Sequence, residues 1–425
     1  MGLVQSIQSI QIEGNRQLYG QIRIQGSKNA VLPIMAAAVL IPGTTVLEHC
    51  PAIKDVILMQ KLLESMGCHA VFKQGHMEID ASSLKQCWLK KEYIEGMRSS
   101  IILLGAMLGR FKEAEIGHPG GCIIGKRPID FHLMALEKMG AEIAVNEDRI
   151  TARADKLTGA EICFPVSSVG ATENALLAAA AAEGVTILHN AATEPEIVAL
   201  CHFLTKAGAD IQGIGSRTLV ITGTLLHEVQ YEIPADRIVT GTYLLAAAAA
   251  GGRVVLEGAV REELGALLFC LQKMGIGINQ QKNSIEVVST GTYQALDYVR
   301  TAEYPGFATD LQPQLAAVLT CAAGNSMIEE SIFENRFGYA EELRKMGAEL
   351  NQEGRCLKIR GRDKLQGAFV EAKDLRGGAA LVLAGLKAEG TTNVIGCQYI
   401  ERGYEDIVGD LKMLGAGIEK REVIP

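Results

Sequence analysis

The sequence is short of several things, and each shortage removes a class of function. Basic residues do not predominate: 41 Lys and Arg stand against 49 Asp and Glu, a formal net charge of −8 with a pI near 5.6. Phosphate backbones are bound by basic domains or stripes, and no Lys or Arg cluster here exceeds a few residues, so no nucleic-acid partner is expected. Apolar runs of the roughly 20 residues that a spanning helix needs are absent, and no membrane partner is expected either. Met1 to Ile10 has neither a basic stretch nor the apolar core of an export signal, which makes a soluble, cytoplasmic protein the expectation. Met1-Gly2 followed by Ser6 fits a myristoylation pattern, but a pattern that short recurs by chance. The ten cysteines, from Cys50 to Cys397, include no CxxC pair and no Cys/His group at zinc spacing, which suits a reducing compartment and offers no metal site. Cys163, Cys201, Cys270 and Cys321 lie in apolar segments and are expected to be small buried hydrophobes.

What is present is a repeat. The chain has 425 residues, 48% apolar and 21% charged, enough for one large core or two ordinary domains. Six segments share a pattern: KLLESMGCHAVF, MALEKMGAEIAV, HFLTKAGADIQG, FCLQKMGIGINQ, EELRKMGAELNQ and GDLKMLGAGIEK. Each predicts the last turns of an amphipathic helix, a glycine stop suited to a left-handed conformation, and an alternating strand. The glycines are Gly67, Gly140, Gly208, Gly275, Gly347 and Gly415, separated by 73, 68, 67, 72 and 68 residues on subtracting their numbers. Corresponding glycines in the two halves differ by 208, 207 and 207, so a triplicated unit is itself duplicated.

Upstream of these segments lie alanine-rich ones, such as LPIMAAAVLIPGTTVLEH, ATENALLAAAAAEGVTILHN, GTYLLAAAAAGGRVVLEG and GGAALVLAGLKAEGTTNVIG. Helices apolar nearly all round belong inside, and small alanines let three of them pack closely at the centre of each half. The expected fold is α/β: two similar domains, each of three repeated helix-and-sheet units, with a ligand cleft between them. The third unit gives way to the fourth near Tyr231 to Asp236. The segment Ser9 to Gln25 has the form of one strand that completes the second half. The expected lobes are therefore 27–234 and 1–26 plus 235–425, joined by a hinge of two crossings near Gly26 and Pro234.

One segment, HPGGCIIGKRP (118–128), has no counterpart in the other units. Gly120, Gly121 and Gly125 give a pliable backbone, and Lys126 and Arg127 put positive charge near Cys122, which lowers a thiol pKa toward a range useful for proton transfer. The plain alternative is a Pro-Gly turn with an incidental cysteine. The segment also matches GxxxxGK through Gly120, Gly125 and Lys126, but Arg127 replaces the Ser or Thr that would hold Mg²⁺, which argues against a nucleotide-triphosphate loop.

Eight motifs occur in an informative order: QGSKNAVLP (25–33), PGGC with GKRPID (119–130), SVGATEN (168–174), EPEIV (194–198), TDLQ (309–312), FENRF (333–337), DLR (374–376) and ERGY (401–404). Together they resemble the UDP-N-acetylglucosamine 1-carboxyvinyltransferase family of enolpyruvyl transferases over almost the whole chain. The resemblance implies an inside-out α/β barrel in each lobe. It also implies transfer of the enolpyruvyl group of phosphoenolpyruvate to the 3′-hydroxyl of UDP-N-acetylglucosamine, the first committed step of peptidoglycan synthesis, with its bearing on cell shape and division. These two small molecules are the expected partners, and no cofactor or metal is implied.

By the same resemblance Cys122 is the acid that protonates C3 of the enol and can carry a covalent adduct, and Asp310 takes the proton of the 3′-hydroxyl. Lys28, Arg127 and Arg402, with Arg98 and Arg376 nearby, match the cations for the phosphate and carboxylate, a dianion that can be desolvated only against several positive groups. Asn29 matches a sugar contact, while Arg127, Pro128, Ile129, Asp130 and Phe131, with Ser167, Ser168, Val169 and the backbone of Ile332, match the nucleotide pocket. The plain alternative for Asp310 is a helix N-cap, since a helical run starts at Leu311. For His132 it is a satisfied packing residue.

Val166, Lys126, Ala308 and Tyr339 depart from the commoner family pattern without removing a proton-transfer group. The rival functions are a 5-enolpyruvylshikimate-3-phosphate synthase-like transferase, which resembles the PGGC loop less, and a non-catalytic paralogue that only binds the sugar nucleotide. Oligomeric state is not legible in the sequence.

Overall fold

A computed structural model describes residues 7–85, 88–89, 94, 97–118, 124–125 and 128–423. These divide into two compact units, one of residues 26–118 and 128–234, the other of residues 7–25, 124–125 and 235–423. Each has its own hydrophobic core.

At the centre of the first unit are the helices Lys28–Ala37, Leu103–Phe111 and Val169–Ala179, and at the centre of the second are Arg237–Ala250, Gln312–Leu319 and Leu375–Lys387. Their apolar composition on every side is matched by their burial: Ile238 to Ala249 and Arg376 to Leu386 are buried without a break. In the second unit the three helices pack pairwise, and in the first Leu103–Phe111 packs on both others. Small residues set the spacing. A Cβ added to Gly105 would stand 2.3 Å from the carbonyl oxygen of Asn174, so even alanine would force Leu103–Phe111 away from Val169–Ala179.

Five of the central helices lead into a strand, then an amphipathic helix, then a hairpin; after the sixth, Leu375–Lys387, the single strand Gly417–Val423 takes the hairpin's place and pairs with Ile7–Glu13. The six glycines of the repeat end the amphipathic helices as their spacing predicts, with φ from 84° at Gly275 to 113° at Gly208. That region is cheap for glycine and costly for L side chains, so the glycine decides where each helix stops.

The strands form small sheets, among them Val229–Glu232, Thr44–Glu48, His76–Asp80 and His69–Lys73 in that order in the first unit. In the second, Val299–Arg300, Asn325–Glu329, Cys356–Arg360 and Glu349–Glu353 repeat the plan, one parallel pair followed by antiparallel ones. Every sheet is open, and among the described residues none closes into a barrel.

The single strand expected over Ser9 to Gln25 is two strands. Ile7–Glu13 lies antiparallel between Thr391–Ile395 and Gly417–Val423, while Leu18–Arg23 runs parallel to Gly252–Glu257 in a different sheet. The break has a steric cause: Gly14 sits so close to the Ala388 carbonyl oxygen that a Cβ would lie 2.0 Å from it, and Asn15 takes a φ of 60°. Cys163 also departs from expectation. It is exposed, on the outward-facing position of the three-residue strand Glu161–Cys163, whereas Cys201 and Cys270 are buried and Cys321 half-buried. No described helix is long and apolar enough to cross a membrane.

Candidate functional site

Within each unit several candidate residues lie where the central helices begin. These ends are apolar along their length but polar at the first turn, because free N–H groups there need acceptors and favour negative charge. Ser27 caps Lys28–Ala37, its Oγ accepting from the Ala30 amide at 3.3 Å, and Lys28 and Asn29 follow it, both half-buried. Ser168 caps Val169–Ala179 in the same way at 3.4 Å, which puts Ser167, Ser168 and Val169 at a second such end. Arg98 opens the 3₁₀ turn that runs into Leu103–Phe111. Asp236 and Asp374 cap the helices Arg237–Ala250 and Leu375–Lys387, each accepting two backbone amides, and Arg376 lies in the first turn of the latter.

In the first unit Lys28 is held by a partner that sequence reasoning missed. Its Nζ lies 2.8 Å from Oδ2 of Asp55, a carboxylate that is almost wholly buried. Pro128 and Ile129 precede the helix Asp130–Lys138, whose His132 is packed against the start of Val169–Ala179: a Cβ on Gly170 would come within 2.9 Å of its Cε1. Burial first, and the charge of Arg98 second, push the His132 pKa down to about 4. The neutral ring uses Nδ1 as acceptor for the Asn174 amide at 2.7 Å, and Asn174 also donates to the Ile101 carbonyl and accepts from the Gly105 amide. One buried amide thus ties together the elements bearing Arg98, Phe131 and Val169. Glu173 beside it is pushed well above the usual carboxylate range by burial, with Glu196 and Glu194 adding repulsion.

In the second unit Asp310 does not cap a helix. It lies inside the 3₁₀ turn Thr309–Leu311, and neither that turn nor the helix Gln312–Leu319 has a side-chain cap. Two buried arginines take its carboxylate instead. Arg336 Nη2 donates to Oδ1 at 2.7 Å, and Arg376 donates to Oδ2 through Nε at 3.2 Å and Nη2 at 3.0 Å. Both guanidinium side chains are 3% exposed, against 28% for the Asp310 side chain, so buried donors hold a carboxylate that is itself partly exposed. Burial works against the Arg376 charge, but Asp310, Tyr404 and Asp236 together outweigh it and leave its pKa above the ordinary arginine value. The ring of Tyr404 lies 5.8 Å beneath the same guanidinium.

Arg402 stands in the turn after the helix Cys397–Ile400, and this turn is pressed against the start of the Arg376 helix: a Cβ on Gly403 would come within 2.8 Å of Leu375. Gln25 brackets it, donating to the Gly403 carbonyl and accepting from the Glu405 amide. Ile332 belongs to a loop held by Glu330, whose Oε1 accepts its amide at 2.8 Å. The Asn335 amide of that loop donates to the Ile124 carbonyl at 3.0 Å. Cys122, Lys126 and Arg127 lie outside the described residues.

Among the predicted residues, the structure therefore brings Asp310 and Arg376 into direct contact and places Arg402 and Ile332 in the same unit. Lys28, Asn29, Arg98, Pro128, Ile129, Asp130, Phe131, Ser167, Ser168 and Val169 belong to the other. Arg336, Glu330 and Asp55 were missed. Arg336 had a signal, since it is the arginine of the FENRF motif. Among the described residues no group of His, Cys, Asp and Glu could hold a metal ion.

Comparison with known proteins places these features in context. The profile of EPSP synthase (3-phosphoshikimate 1-carboxyvinyltransferase) matches residues 12–411. UDP-N-acetylglucosamine 1-carboxyvinyltransferase 2 of Caldanaerobacter subterraneus subsp. tengcongensis is 47% identical over 408 residues, covering 96% of this chain and 98% of its own. UDP-N-acetylglucosamine 1-carboxyvinyltransferase of Finegoldia magna is 42% identical over 419 residues, covering 97% and 99%. Among solved structures, the enolpyruvyl transferase NikO from Streptomyces tendae superposes with a TM-score of 0.88 at 25% identity, covering 99% of this chain and 100% of its own. An EPSP synthase from Acinetobacter baumannii shares the fold, with a TM-score of 0.76 at 20% identity and coverage of 98% and 100%.

Proposed function

The chain belongs to the EPSP synthase family of enolpyruvyl transferases, and on that premise we propose that it joins phosphoenolpyruvate to the 3′-hydroxyl of UDP-N-acetylglucosamine with release of phosphate. The observation that carries the site is Asp310, a partly exposed carboxylate clamped by two buried arginines. Such an acceptor cannot swing away from an approaching hydroxyl, and a positioned base typically contributes about 10²- to 10⁴-fold.

In the proposed reaction the 3′-oxygen attacks C2 of the enol, its proton passes to Asp310, and C3 takes a proton from Cys122. A tetrahedral ketal results. Loss of a C3 proton and cleavage of the bond from C2 to the phosphate oxygen then regenerate the enol double bond and free phosphate. Lys28, Arg98, Arg127, Arg376 and Arg402 are the proposed cations for the phosphate and carboxylate. Asn29, Pro128, Ile129, Asp130, Phe131, Ser167, Ser168, Val169 and the Ile332 backbone are the proposed sugar-nucleotide contacts.

The fold supporting this chemistry is an inside-out arrangement, with the apolar helices innermost in each unit and the sheets around them. With this acceptor the reaction would open peptidoglycan synthesis, in the cytoplasm.

The test is substitution of the base. Asp310→Asn keeps the shape and a hydrogen-bonding oxygen but cannot take a proton at neutral pH. It is expected to bind UDP-N-acetylglucosamine with near wild-type affinity by calorimetry and to form no enolpyruvyl ether by mass spectrometry. A variant that still turns over removes Asp310 from the role.

A further inference from the structure

We propose that Glu330 is a positioning residue for this reaction, a single buried carboxylate that fixes both the turn carrying Asp310 and the backbone at Ile332. The inference rests on the function proposed above and assigns Glu330 no contact with substrate.

Glu330 directly follows the strand Asn325–Glu329 and is 1% exposed. Its carboxylate accepts four hydrogen bonds. Oε1 takes the Ile332 amide at 2.8 Å, the Phe333 amide at 3.1 Å and the Thr301 hydroxyl at 2.9 Å, and Oε2 takes the Thr309 hydroxyl at 2.9 Å. The two backbone N–H groups can only donate, so a side chain at 330 must accept at that end whatever the hydroxyls do. A buried carboxylate with every oxygen engaged is a rigid joint, because moving either end leaves a charged acceptor short of a donor.

What it joins gives the joint its consequence. Thr309 is the residue before Asp310, 21 positions upstream of Glu330, on a different segment. The same loop returns to that turn six residues on, where Arg336 donates to the Thr309 carbonyl at 3.4 Å and to Asp310 at 2.7 Å. The segment 330–336 therefore grips the Asp310 turn twice, by the Thr309 side chain and by its carbonyl and the neighbouring carboxylate. Ile332, matched to the nucleotide pocket, lies between the two grips. Displacement of the backbone at Ile332 is transmitted to Asp310 through bonds, without a second element having to move.

Thr309 offers a cut through one arm of the joint alone. Thr309→Val deletes the hydroxyl that reaches Oε2 and leaves the Ile332 and Phe333 bonds in place. Phosphate release by the purified full chain is expected to show kcat reduced about 10- to 100-fold, a size that a misplacement of about 1 Å can produce, with KM for UDP-N-acetylglucosamine within about twofold. Thr309→Ser restores the hydroxyl and is expected to recover kcat. Glu330→Gln keeps an accepting oxygen for one end only. It is expected to lower kcat, raise the sugar-nucleotide KM, and speed deuterium uptake across residues 331–337 in hydrogen exchange. Thr309→Val at wild-type kcat overturns the proposal, as do changes confined to the unfolding temperature in both variants. A wild-type chain silent with both substrates would instead sink the function on which the proposal stands.

Discussion

Replacing Arg336 by methionine tests the clamp from the side that sequence reasoning overlooked. The change keeps an unbranched side chain of similar length and removes the guanidinium whose Nη2 donates to Asp310 Oδ1 at 2.7 Å and to the Thr309 carbonyl at 3.4 Å. The longer bond is close to the limit of useful geometry and adds little, so the loss is essentially one charge-assisted hydrogen bond, worth about 1.5–3 kcal/mol. The full cost of stranding a buried charge is not incurred, because Arg376 still holds Oδ2 through two bonds. If the bond serves to aim the carboxylate, the energy is lost in the transition state. At 1.36 kcal/mol per factor of ten, kcat falls about 10- to 150-fold. Initial rates of phosphate release over a range of both substrates separate kcat from KM, and thermal unfolding reports the structural cost. Arg336→Lys, which returns a charge but not the planar fork, is expected to recover part of kcat. A methionine variant with undiminished kcat, or one whose whole defect lies in KM and unfolding temperature, would refute the claim that Arg336 orients the base.

Further predictions concern stability. His132 has its pKa lowered to about 4 from 6.5, so the unfolded chain binds its proton first; the stabilisation is complete above about pH 6.5 and is lost as pH falls toward 4. Between pH 7.5 and 5 the wild type is expected to lose on the order of 2 kcal/mol more unfolding free energy than His132→Gln, measured by urea titration, and parallel losses would contradict this. Gly347 has φ +86° and nothing within 4 Å of an added Cβ, so Gly347→Ala should incur only the left-handed backbone cost of about 1–2 kcal/mol. Gly14→Ala drives a Cβ to 2.0 Å from the Ala388 carbonyl oxygen and should cost more, by about 1–3 kcal/mol or above; equal urea midpoints would contradict the steric account of the strand break.

Much of the framework was legible because it is local. A left-handed glycine after an amphipathic turn is dictated by neighbours within four residues, and all six positions from Gly67 to Gly415 have positive φ. The central helices announced themselves by being apolar on every side, which leaves no solvent face to expose. What escaped was decided at a distance. Nothing adjacent to Gly14 in the chain reveals the Ala388 carbonyl that breaks the first strand in two. Cys163 looked buried in an apolar segment, but the pleat of a three-residue strand turns it outward. For Asp310, matched to the base by resemblance, the plain alternative was a cap because a helix follows it, and only the fold reveals the partners 26 and 66 residues away that hold its oxygens instead. Arg336 stood in a recognised motif without a role for the same reason. Glu330, the residue before Ser331 in a plain strand-to-loop junction, had no local signature at all.

The central claim is that this chain makes an enol ether on a sugar nucleotide, and a single acceptor panel tests it. Phosphate release from phosphoenolpyruvate is measured with UDP-N-acetylglucosamine, with shikimate 3-phosphate, and with no acceptor. The account predicts sustained release with the sugar nucleotide alone. Release driven by shikimate 3-phosphate, or none under any of the three conditions, would contradict it.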